Sequence, residues 1–175
     1  MRQTSGALAK GIHPWEKITQ AMWLKYPNPI LPNVLAADVL KRQVTNDGKL
    51  ISHRVLSTEW LASQWIMKLF GLTNRCYVTE HTEIDPRKKV MKVLSRNVTY
   101  NSLCQVEEIA TYQQHPKDEN LTLVTQEARI VVYGISGLFE NLVAGTFPDN
   151  VAKGRQAMEH VVASIASTTA DAELS

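Results

Sequence analysis

Between Val34 and Tyr133 the chain reads as six strand-like segments in succession, and this restricts the fold more than any other feature. The segments are Val34–Val44, Lys49–Thr58, Tyr77–Ile84, Lys89–Thr99, Ser102–Tyr112 and Leu121–Tyr133. Asn46-Asp47-Gly48 is a turn signal between the first two. Asp85-Pro86-Arg87-Lys88 joins the next pair, with proline suited to the first corner of a turn. His115–Asn120 reads as a polar loop, and beyond it Val124, Ala128, Ile130 and Val132 fall on broadly one face. Six strands joined in order by short turns describe an antiparallel meander.

The flanks have helical period. His13-Pro14-Trp15-Glu16 opens a helix whose apolar positions are Trp15, Ile18, Ala21 and Met22. The stretch Trp23-Leu24-Lys25-Tyr26-Pro27-Asn28-Pro29 ends it on two prolines, which places Lys25 in the last helical turn. A lysine there needs no ligand, because the helix dipole favours it. After Ser136 a second stripe runs through Leu138, Leu142, Val151, Met158, Val161, Val162 and Ile165, with Pro148 predicted to kink or break it. The expected class is α+β: a curved antiparallel sheet of six to seven strands, an N-terminal helix, a short lid helix and a long C-terminal helix. A sheet wrapped around a helix permits a cavity.

Between Glu59 and Arg75 the segment Trp60–Asn74 carries one charge, Lys68, and breaks the run of hairpins. Leu61, Trp65, Leu69 and Leu72 share one helical face, and Ile66, Met67 and Phe70 make the opposite side apolar too. Two readings compete: a buried crossover helix capping the sheet, or a lid that meets a membrane interface. The two tryptophans and the lysine favour the interface, which predicts membrane contact by Trp60, Leu61, Trp65, Ile66, Leu69, Phe70 and Leu72.

Length and charge exclude several classes. At 175 residues the chain fits one domain, read as a variable N-terminus with a candidate edge strand (1–12), a body (13–166) and a polar tail (167–175). Nineteen basic and seventeen acidic residues are spread too evenly for a nucleic-acid footprint. No apolar run reaches the ~20 residues needed to span a bilayer. Met1–Gly11 lacks the apolar core of a secretory signal, and with one arginine and poor amphipathicity it makes a poor transit peptide. Cys76 and Cys104 lack metal-ligand spacing; each reads as a buried thiol, with a disulfide as the alternative.

The chain resembles the PRELI domain, and within it the Slowmo-type branch. The resemblance rests on His13-Pro14-Trp15, Lys25-Tyr26-Pro27-Asn28-Pro29, Asp38-Val39-Leu40, Gly48-Lys49-Leu50, Arg54-Val55-Leu56-Ser57-Thr58-Glu59-Trp60, Asp85-Pro86 and Lys153-Gly154-Arg155-Gln156-Ala157-Met158-Glu159. It runs from about His13 to Val162. It implies a non-enzymatic phospholipid carrier of the mitochondrial intermembrane space that works as a heterodimer with a small paired-cysteine helical-hairpin protein. The cargo it implies is phosphatidylserine, with phosphatidic acid as the alternative, and no cofactor is implied. By the same resemblance Lys25, Arg54, Lys153 and Arg155 contact the lipid headgroup, and Trp60–Leu72 is the lid. Asn33 and Thr58 stand where a phosphatidic acid carrier of the family has histidine and lysine. Two departures stand out: Met1–Gly11 lacks the family's alternating apolar first strand, and Pro148 falls where the family's last helix has none.

Two cations also call for a physical account. Lys25 and Arg54, if buried without a carboxylate, must snorkel or await an anion. Arg96 shares a face with Leu94 and Val98, and pairing with Glu107 or Glu127 explains it. The rivals are a lipid hydrolase or cyclase, and a scaffold that transfers nothing. For an enzyme His13, His53, His81, His115 and His160 are the raw material, but His53 and His81 adjoin Arg54 and Glu80 on strands and must point away from them. No nucleophile elbow, metal-ligand pair or phosphate loop occurs.

Overall fold

The structure is a computed structural model that describes residues 2–5, 9–10, 13–59, 73–133 and 137–173. Two short strands, β1 (Arg2–Ser5) and β2 (Ala9–Lys10), precede helix α1 (Trp15–Trp23). Then come β3 (Val34–Val44), β4 (Leu50–Glu59), β5 (Arg75–Asp85), β6 (Val90–Asn97), β7 (Cys104–His115) and β8 (Asp118–Val132). Helix α2 (Gly137–Glu173) closes the chain and includes the first residues of the stretch read as a tail. The sheet order is β1-β8-β7-β6-β5-β4-β3, with β2 also on β8, so the six-stranded meander is extended at one side by the N-terminus.

Turn chemistry fixes the registers. Gly48 takes φ +80°, and the loop closes through Thr45 N–H donating to the Lys49 carbonyl at 2.9 Å. At the β5–β6 turn the Asp85 carboxylate accepts the backbone N–H groups of Arg87 and Lys88, both at 3.1 Å. The polar loop expected over His115–Asn120 contracts to Pro116–Lys117, because β7 and β8 keep pairing as far as His115 and Asp118. Two register shifts in β3, between Val34 and Ala36 and between Val39 and Lys41, are the irregularities that let an edge strand bend.

The core forms where α1 and α2 lie over the lower half of the sheet. Trp15, Ile18, Ala21 and Met22 meet Met91, Val93, Ala110 and Tyr112 of the sheet and Met158, Val161 and Val162 of α2. The indole of Trp15 donates to the Tyr112 carbonyl at 3.2 Å. Two expectations change. Lys25 lies beyond the helix, since α1 ends at Trp23 with Leu24 as its cap. α2 runs through Pro148 without a break, proline removing only one rung of a 37-residue ladder. Among the described residues no helix is long and apolar enough to cross a membrane.

Candidate functional site

Alternation along the strands builds one wall of a hollow. Leu56 and Thr58 of β4, Val78 and Glu80 of β5, Val93 and Ser95 of β6, and Val106, Glu108 and Ala110 of β7 all face inward, followed by Gln126 and Ile130 of β8. Met22, Tyr26, Leu31 and Asn33 close one side, and Asn150 and Gly154 of α2 another. Together they enclose a cavity of about 380 Å³, within the range of small-molecule sites.

Lys25 is held in this wall by the turn that follows α1. Asn28 is buried; its amide donates to the Ala157 carbonyl at 3.1 Å and its carbonyl oxygen accepts Ile30 N–H at 2.9 Å, so the turn is tied to α2. The Lys25 amine lies 5.3 Å from the Tyr26 ring centre. A Cβ placed on Gly154 would sit 3.8 Å from it, an ordinary contact. Burial opposes its charge, but Tyr26, Tyr112 and Glu80 outweigh that penalty and raise its pKa above the ordinary lysine value. Among the described residues no carboxylate lies within ion-pair distance of it.

Arg54 corrects the expectation of an unpaired cation. It is 3 % exposed and stands directly across from Glu80, 4 % exposed. Its Nε donates to Glu80 Oε1 at 2.9 Å and its Nη2 bonds the same oxygen, while Nη1 reaches the Met22 carbonyl at 3.4 Å. The guanidinium also lies 5.4 Å from the Trp23 ring centre. It is absent from the cavity lining, where Glu80 appears instead. Lys153 and Arg155, expected at the headgroup, are both exposed on α2, and the cavity is lined by Asn150 and by Gly154 between them. Asn33 and Thr58 do line the cavity. The lid residues Trp60, Leu61, Trp65, Ile66, Leu69, Phe70 and Leu72 lie outside the described residues.

Arg96 also borders the cavity, while the histidine pair lies on the outer face. Arg96 donates to Glu107 at 2.6 Å, the pairing expected. His53 and His81 face each other across β4 and β5 with a ring-nitrogen separation of 3.1 Å. Partial burial and then His53 lower the His81 pKa. Neither histidine lines the cavity. Cys76 and Cys104 form no disulfide with each other, and burial pushes the Cys76 thiol up.

Three site residues were not read from the sequence: Glu80, Glu108 and Tyr112. Each sits on an inward row, as in Cys104, Val106, Glu108, Ala110 and Tyr112 of β7. An acid within an otherwise apolar row was the available signal. Burial raises the pKa of Tyr112; Lys25 lowers it, and Glu108, Tyr26 and Glu80 add to the rise, so this phenol stands in the field of all four.

Comparison with known proteins gives one consistent result. The model of the PRELI-like family matches residues 16–168. The chain is 36% identical over 156 residues to "Protein UPS2, mitochondrial" of Saccharomyces cerevisiae, covering 86% of this chain and 68% of that protein. It is 30% identical over 153 residues to the "Protein slowmo homolog" of Dictyostelium discoideum, covering 86% and 67%. Among solved structures it is similar to TTHA0849 of Thermus thermophilus, with TM-score 0.64 and 15% identity over 94% of this chain and 99% of that one. The Zhui aromatase/cyclase of Streptomyces sp. R1128 aligns with TM-score 0.56 and 13% identity over 91% and 93%. At such identity these two structures speak for the fold alone.

Proposed function

The chain belongs to the PRELI-like family, and from that premise we propose that it is a non-enzymatic carrier of acidic phospholipids, phosphatidylserine first, between mitochondrial membranes. The observation that carries this reading is the Lys25 amine, which faces a hollow interior with no carboxylate paired to it among the described residues. A phosphate supplies the missing anion, and the apolar wall takes up acyl chain at roughly 0.8 kcal/mol per buried methylene. Asn33 and Thr58, neutral on the lining, suit a head larger than bare phosphate. Arg54 acts from behind the wall by fixing Glu80, and exposed Lys153 and Arg155 meet anionic surface during docking. The location follows the mitochondrial name of the yeast relative; the intermembrane space and a small paired-cysteine hairpin partner are part of the proposal.

The test is transfer of labelled phosphatidylserine from donor to acceptor vesicles. The full chain moves intact lipid, and Lys25→Met lowers the rate at least tenfold with an unchanged melting curve. Trp65→Glu, in the proposed lid, slows transfer while leaving equilibrium lipid binding unaltered. Chemically altered lipid in the acceptor would identify an enzyme, and an active Lys25→Met variant would remove the amine from the site.

A further inference from the structure

One charge on the cavity wall is left unused by a carrier that needs only an amine for phosphate. Glu108 lies in β7 in register with Ser95 of β6 and Ala128 of β8, two small residues that leave its carboxylate open to the interior. Its Oε1 accepts a hydrogen bond from the Gln126 amide at 2.8 Å. Among the described residues no cation is within ion-pair distance of it. Half-buried on the cavity wall and facing its interior, this carboxylate is placed to attract a positive charge carried by whatever fills the cavity.

Charge pairing narrows what can supply it. Arg54 is committed to Glu80, and Arg96, the other cation on the lining, to Glu107, which leaves Lys25 and Glu108 as opposite charges that both face the cavity and are not paired with each other. Glu59 adds a further carboxylate to the lining. A bare phosphomonoester would gain Lys25 and meet Glu108 with like charge. A headgroup carrying both a phosphate and an ammonium complements the two together.

We propose that Glu108 is the specificity-determining residue of the cavity: its carboxylate takes the primary ammonium of an amine-bearing glycerophospholipid while Lys25 takes the phosphate. Phosphatidic acid is thereby disfavoured. This inference rests on the carrier reading and deepens it.

The experiment compares transfer of phosphatidylserine, N-acetyl-phosphatidylserine and phosphatidic acid by the full chain and by Glu108→Gln, which keeps the size of the side chain. The unmodified chain moves phosphatidylserine about tenfold faster than its N-acetyl form, and Glu108→Gln abolishes that preference while phosphatidic acid transfer holds or rises. Equal handling of the two serine lipids by the unmodified chain overturns the inference without any variant. So does a Glu108→Gln protein whose preference is intact, or one in which all three lipids slow together. Absence of any phospholipid transfer by the unmodified chain ends the carrier reading, and this inference falls with it.

Discussion

At the scale of the residue, Arg54 and Glu80 show how an inward cation can be structural. Both are almost fully buried, share two hydrogen bonds and stand directly opposite across β4 and β5. Removing one partner strands a charge in the interior, whereas replacing both with apolar groups removes the demand altogether. Glu80→Ala is therefore expected to destabilise the fold by about 3–5 kcal/mol, and Arg54→Leu with Glu80→Leu to recover most of that loss. Denaturant unfolding of both variants checks it; a double variant no more stable than Glu80→Ala would show that no such pair operates. The sequence exposed half of this arrangement. Alternation through Ser52, Arg54 and Leu56 puts the arginine inside, but its partner lies 26 positions away across a register that local pattern does not state.

At the scale of the element, most strands were legible because one face is more buried than the other and turn residues mark most of their ends, although β3 is exposed over most of its length. The sheet edge at β1 was read only as a candidate within residues 1–12, since Arg2–Ser5 pairs with β8 through backbone groups and carries no apolar alternation to fix it. α2 departs from expectation at Pro148, which the helix runs through. Lys153 and Arg155 flank Gly154, and at 3.6 residues per turn each points roughly 100° away from it, so a helix that turns Gly154 inward turns both cations aside. Opposite Gly154 the Lys25 amine lies 3.8 Å from where an alanine Cβ would stand. That separation is ordinary contact, so Gly154→Ala should raise stability by roughly 0.5–1 kcal/mol and keep lipid binding. Gly154→Leu, by contrast, fills the space of the Lys25 amine and should weaken phosphatidylserine binding at least tenfold. Thermal melts and lipid binding of both variants decide the matter; an alanine variant that melts lower would mean the site is tighter than its geometry indicates.

At the scale of the whole molecule, the meander and two helices hold apart walls that would otherwise collapse together. Sequence pattern says which side chains face inward but not how far apart the opposing walls stand, so the hollow could be permitted and not read. Its consequence is thermodynamic. A ligand that binds the folded cavity and not the unfolded chain stabilises by about 2.7 kcal/mol at a hundred times its dissociation constant. For a chain of this size each kcal/mol moves the midpoint by roughly 2–4 °C, so saturating dihexanoyl-phosphatidylserine should raise the melting temperature by roughly 5–11 °C. Dihexanoylglycerol has the same tails without the phosphate or ammonium and should produce a much smaller rise, because it offers nothing to Lys25. In Lys25→Met the gap between the two lipids should narrow, since the variant loses the amine that takes the phosphate and keeps the apolar wall and Glu108. Calorimetric melts of both proteins with both lipids separate charge from tails, and equal shifts for the two lipids in the unmodified chain would show that the cavity does not read an anionic head.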